Sequence, residues 1–186
     1  VAVGGLPDGI VDTDMLANSA AAPLKRGSGS TLQTVITQSN AGSVTGTGTT
    51  IHAVTSLETS ITPLKASSKF LLTLSGVNGH CNMGGSVGNH GCRYYFYVSV
   101  AGETYANAAT HSDPICATHI NGDIGTWSDY PVHYSYLASP TYSLGQALTF
   151  RPQFTKDINM GDSLTYYFNH NTQSNRAIMI VSEVAA

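Results

Sequence analysis

Charge is scarce in this sequence. Asp, Glu, Lys and Arg make up 10% of its 186 residues, against roughly 25% in soluble domains generally. Ser, Thr, Asn, Gln and Gly must therefore supply most of the surface. The net charge of -3 leaves no basic footprint for nucleic acid. No apolar run approaches the roughly 20 residues of a membrane helix, so no membrane insertion is expected. The N-terminus lacks the basic-then-apolar pattern of a secretory signal. Cysteine is limited to three residues. That number is odd, and too small for a disulfide framework to replace a core. The length suits one domain with its own core.

Catalytic patterns are missing as well. There is no G-x-S-x-G elbow and no H-E-x-x-H. No pair of carboxylates stands out as a glycosidase acid and nucleophile. His111, Asp113, His119, Asp123 and Asp129 cluster in the middle of the chain, where they read as solvated turn residues. The sequence therefore predicts no enzyme, no catalytic residue, no cofactor and no resident metal.

Helical periodicity is absent after residue 30. The first thirty residues hold a Pro-Asp-Gly turn signal, a flexible ending at Gly27 to Ser30, and room for one short helix through Met15 and Leu16. They carry too few apolar residues to form a core. Residues 1–30 are assigned as an arm that packs on a partner, and residues 31–186 as a β-domain.

What the β-domain does have is period-two alternation. "TLQTVIT" is rich in β-branched residues. "SKFLLTLSG" reads as a buried strand ending at an Asn78-Gly79 turn. "RYYFYVSVAG" sends Tyr95 and Tyr97 to one face and Tyr94, Phe96 and Val98 to the other. Residues 107–129 read as loop. "YPVHYSYL" predicts a strand starting after Pro131. "ALTFRPQFT" puts Leu148, Phe150 and Phe154 on one face, with Pro152 marking an edge strand or a bulge. "SLTYYFNH" turns Leu164, Tyr166 and Phe168 inward, and "RAIMIVSEV" closes the chain. About eight strands separated by turns define an all-β class: an antiparallel β-sandwich or jelly roll with an extended N-terminal arm.

The stretch "HCNMGGSVGNHGC", residues 80–92, concentrates potential chemistry. His80, Cys81, His90 and Cys92 match no zinc-finger spacing, and adjacent His80 and Cys81 point apart in an extended chain. The flanking strands are expected to form a hairpin that brings Cys81 and Cys92 close together. An inert reduced pair ranks first, a disulfide between them second and a metal site last. Aromatic residues offer a separate candidate. Trp127, Tyr130, Tyr134, Tyr136 and Tyr142, with Asn, Asp and His nearby, could present a glycan or receptor surface. Packing in the core and at its rim is the plainer account of them.

Three stretches taken together carry a resemblance. "LPDGIVDTDMLANSAA" resembles N-terminal linkers of tailed-bacteriophage fibre and virion-surface proteins. "TSLETSITPLKASSKFLLTLSG" resembles a strand-turn-strand unit of their distal β-domains, through Ile61, Thr62, Pro63, Ser67, Ser68, Lys69 and Leu71. "NRAIMIVSEVAA", with Glu183, resembles their closing strand. The resemblance implies a non-enzymatic virion structural protein, assembled in the host cytoplasm and displayed on the virion surface. It would decorate the capsid or form a short fibre, as a homotrimer. Leu6, Ile10, Val11, Met15 and Leu16 would attach the arm to other virion proteins. The rival expectation is a tail-fibre receptor-binding or lectin-like carbohydrate-binding domain that contacts a host glycan.

Overall fold

The computed structural model describes residues 27–39, 44–47, 50–82, 90–109, 113–120, 127–156, 165–168 and 176–186. The arm candidates Leu6, Ile10, Val11, Met15 and Leu16, and also Leu164, lie outside the described residues. The strands are β1 (Thr31–Ser39), β2 (Val44–Thr47), β3 (His52–Ala53), β4 (Thr59–Ile61), β5 (Lys69–Asn82), β6 (His90–Val100), β7 (Ala106–Asn107), β8 (Cys116–Ile120), β9 (Trp127–Ala138), β10 (Leu148–Lys156), β11 (Thr165–Phe168) and β12 (Ala177–Val184). A single 3-10 turn, Thr55–Leu57, separates β3 from β4. No α-helix occurs among the described residues.

The strands form two antiparallel sheets packed face to face. In the first, β12 lies between β1 and β5, β11 lies between β2 and β5, and β9 lines the other side of β5. In the second, β10 lies between β6 on one side and β3 and β4 on the other, and β7 and β8 flank β6. The pairings are nested along the chain: β1 with β12, β4 with β10, β5 with β9, and β6 with β8. A long antiparallel ribbon rolled so that β12 meets β5 and β10 meets β6 produces this order. It is the jelly-roll arrangement.

Alternation places the core residues of β6 and β10 as the sequence predicts, whereas on β5, where Phe70 and Leu71 are both expected in the core, alternation buries Phe70 and leaves Leu71 exposed. Tyr94 and Phe96 from β6, Leu148, Phe150 and Phe154 from β10, Phe70, Leu72 and Leu74 from β5, and Met179 and Val181 from β12 are fully buried between the sheets. The rings interlock: Phe70 against Phe150 at 5.4 Å, Phe154 against Phe168 at 5.5 Å, and Phe96 against Tyr134 at 4.7 Å between centroids.

Four local expectations are corrected. Asn78-Gly79 is not a turn. β5 runs on to Asn82, because β9 and β11 pair with it on both sides. It accommodates a bulge between Leu74 and Val77 through Gly76 at φ 70°. Residues 107–129 are not all loop, since β8 pairs with β6. Pro131 does not precede its strand but lies inside β9, which among the described residues pairs with β5 alone and so tolerates a missing N–H on its other side. Pro152 is in a central strand. The Pro152 carbonyl accepts from Val54 N at 3.0 Å. In an antiparallel strand a residue's N and O point the same way. The absent N–H of Pro152 therefore faces the gap between β3 and β4, where no ladder bond is lost.

Candidate assembly interface

The two outer faces of the sandwich differ in chemistry. On the second sheet, charges and aromatics satisfy one another. Arg151 donates to Glu58 at 3.2 Å and lies 3.6 Å over the Tyr105 ring. In the amide orientation that satisfies both groups, the Gln153 oxygen accepts from the Arg151 guanidinium at 2.9 and 3.0 Å. Burial, and then the adjacent Glu58 charge, hold the Tyr105 phenol above its ordinary range. Tyr95, which alternation turns away from the core, is nonetheless buried. Burial raises its pKa while Arg93 opposes the shift. Of the two outward aromatics of β6, Tyr95 is thus covered within the chain and Tyr97 is half-buried.

The outer face of the first sheet is uncharged across its middle. One row across four strands reads Ile36, Ile180, Thr73 and Ser135. The next reads Thr34, Ser182, Leu71 and Leu137. A third begins Gln38, Ile178 and Ser75. Ile36 is 61% exposed, Leu137 47% and Leu71 41%. The hydroxyls between them bond sideways within the face: Thr34 with Ser182 at 2.9 Å, and Thr73 with Ser135 at 2.9 Å. Polar groups already paired in this way lose little when water is removed. Lys69 stands at one end of the face, opposite Val184, and His133 is exposed at the other, two residues before Ser135 on β9. Covering Ile36 and Leu137 would contribute about 1 kcal/mol each by apolar area.

One end of this face is pinned by Glu183, which is inaccessible to solvent. Its two carboxylate oxygens accept from Leu64 N at 3.0 and 2.9 Å, from Lys65 N at 3.1 Å and from Gln33 Nε2 at 2.7 Å. Burial alone would raise its pKa. The Leu64 amide, the Gln33 side chain, the Ser68 hydroxyl and the Lys65 amide together outweigh burial and hold the carboxyl below its ordinary value. The Pro63–Ser68 turn and the closing strand thus form one unit. Sequence reasoning missed this contact, although its signal was present. Ala177, Met179 and Val181 occupy the inward phase of β12, and Glu183 continues that phase with a carboxylate.

Among the described side chains, the aromatic candidates named from sequence are Tyr134, Tyr136 and Tyr142. Tyr134 belongs to the core, where its phenol donates to the Tyr95 carbonyl at 3.3 Å. Burial, and then Cys116, push its pKa well up. Of the two accounts the sequence leaves for this residue, core packing is the one its strand phase gives, since it turns Tyr134 between the sheets. Tyr136 is half-buried against the same core. Trp127 pairs with Asn82 and Tyr130 with Gly79 along β9, and their side chains lie outside the described residues.

The expected hairpin between residues 81 and 92 is also corrected. Cys81 lies on β5 of the first sheet and Cys92 on β6 of the second, so no cross-strand route joins them. A jelly roll sends the chain from one sheet to the other at this point, which a local pattern cannot reveal. His80 and His90 are divided between the same two strands. Cys92 is buried. Burial raises the Cys116 pKa, keeping its thiol protonated at neutral pH. A scan against protein-family profiles gives no match for this chain, and a search of curated proteins gives none either.

Proposed function

We propose that this chain is a non-enzymatic structural protein of a virion surface, a capsid decoration or short fibre, that assembles as a homotrimer. Residues 1–30 serve as its attachment arm. The observation that carries the assembly reading is the outer face of the first sheet. It exposes Ile36, Leu71 and Leu137 among laterally bonded hydroxyls, with no charged side chain in its three central rows. Identical copies can meet on such a face without like-charge repulsion, and its apolar area favours cover. Closed cyclic symmetry satisfies that contact without polymerisation. The choice of three copies, and the virion setting, rest on the resemblance of the Ile61–Leu71 unit and the closing strand to phage surface proteins.

The test is the molar mass of the full chain by light scattering at micromolar concentration. A three-copy mass is expected. Ile36→Asp should give a folded one-copy species with an unchanged circular-dichroism spectrum. A wild-type monomer would refute a free trimer. An intact trimer in Ile36→Asp would refute this face as its contact.

A further inference from the structure

The segment entering β5 and the loop leaving β9 enclose a hollow of about 310 Å3, lined by Ser67, Ser68, Lys69, Ser139, Pro140, Thr141 and Tyr142. Strand pairing places these walls side by side, since Phe70 is opposite Ala138. They are also tied together. Tyr142 donates from its phenol to the Lys65 carbonyl at 2.8 Å, and its ring meets Phe70 edge-on at 5.7 Å. The buried Ser68 hydroxyl donates to the same Lys65 carbonyl at 3.1 Å. The hollow is therefore pre-formed, which reduces the ordering cost of binding.

Its rim has a different character. Ser67, Lys69, Ser139 and Thr141 are exposed, and no hydrogen bond or ion pair engages their side chains among the described residues. Ser67 holds φ at 61°, a left-handed conformation that a non-glycine residue adopts at a cost. Such strain gathers at binding sites. Glu183 lies beneath, next to Ser68, with its charge already met by the Leu64 and Lys65 amides and Gln33. The Lys69 ammonium is therefore the uncompensated charge at the rim. Three hydroxyls, one cation and the apolar Pro140 ring match one kind of molecule. It has a carboxylate for the lysine, hydroxyls for Ser67, Ser139 and Thr141, and a C–H face for the proline. The volume suits one sugar ring.

We propose that this hollow binds a carboxylated monosaccharide unit, through Lys69 to the carboxylate and the three rim hydroxyls to the ring. The proposal does not depend on assembly, because the hollow is built within one chain.

Titration of the full-length protein with glucuronate, followed by amide NMR shifts, tests it. Glucose, acetate and sulfate serve as separate arms. Glucuronate should saturate in the millimolar range and shift the Lys69, Ser139 and Thr141 amides, with each other probe at least fivefold weaker. Lys69→Gln should weaken glucuronate at least fivefold, and Thr141→Val by a smaller factor. Acetate or sulfate binding as tightly as glucuronate would overturn the proposal in favour of a bare charge contact. Unchanged affinity in Lys69→Gln would overturn it as well. The same titration on Ile36→Asp separates it from the assembly reading: binding should persist there whatever the oligomeric state.

Discussion

Replacing Glu183 tests whether the turn before β5 depends on a charge supplied from the other end of the β-domain. In Glu183→Ala, the Leu64 and Lys65 amides and the Gln33 amide lose their acceptor, the buried carboxylate. A fully buried donor left without a partner costs about 1–3 kcal/mol, and these three donors are part-buried, so their joint loss is about 2–4 kcal/mol. Domains of this kind have roughly 5–15 kcal/mol in total. Glu183→Gln keeps the shape and one acceptor oxygen, which can serve Leu64 and Lys65. Its new N–H2 group then faces Gln33, which can accept only by giving up its 2.7 Å bond to the Thr62 carbonyl. A loss of about 1–3 kcal/mol is expected.

Urea unfolding should record both losses as a lower midpoint with unchanged slope. The folded carboxyl titrates below its ordinary value of 4.5. Its stabilisation is therefore fully present above pH 4.5 and is lost as the pH falls through the folded pKa. The gap between wild type and Glu183→Gln should accordingly narrow on acidification from pH 6 to pH 3. A Glu183→Gln cost below about 0.5 kcal/mol would refute the electrostatic account. So would a gap that widens in acid.

Three further outcomes are expected. Gly76→Ala places a methyl against the Arg176 carbonyl at a φ of 70°, and should lower stability by at least about 1–2 kcal/mol in the same urea assay. Ala101 holds φ 51° in the tight turn closed by Glu103 N to the Val100 carbonyl at 3.0 Å, so Ala101→Gly or Ala101→Asn should raise the thermal midpoint, by about 0.5–1 kcal/mol in stability. Arg151→Ala removes both the Glu58 ion pair and the Tyr105 stack, and should cost about 1–2 kcal/mol, with faster amide exchange around Tyr105.

The elements legible in the sequence are those whose partners do not matter. The inward faces of β6 and β10 follow from alternation, because a period of two is a property of the strand itself. What long-range pairing decides was not legible. Pro152 resembles an edge marker until β3 and β4 are seen to part opposite it. Asn78-Gly79 resembles a turn until β9 and β11 hold it extended. The break between Cys81 and Cys92 lies where the chain changes sheets, and nothing local marks such a crossing. The candidate assembly face is half legible. Alternation on "RYYFYVSV" puts large aromatics on both faces, of which one needs cover outside the core, but that strand covers Tyr95 within the chain. The face left open is on the other sheet, where Ile36, Leu71 and Leu137 occur singly in strands that otherwise expose hydroxyls. Single exposed aliphatics carry no signal until pairing sets them side by side.

Two of the three stretches that carry the resemblance to phage surface proteins lie far apart in the β-domain, the Ile61–Leu71 unit and the closing strand with Glu183. The fold gives them one physical cause. Pro63 ends the strand before it by fixing φ, which frees the Leu64 and Lys65 amides from any ladder. Those amides need an acceptor, and Glu183 brings one in from β12, which pairs with β5 directly beyond the turn. Ser68 closes the turn from inside, bonding the Lys65 carbonyl. A chain with the proline turn but no terminal carboxylate would strand two buried donors, and one with the carboxylate alone would bury an unmet charge. The two stretches should therefore occur together in any jelly roll that closes its first sheet this way, whatever its function. What would separate a virion protein from other users of the device lies elsewhere: in whether the uncharged face around Ile36 assembles and whether residues 1–30 attach to a partner.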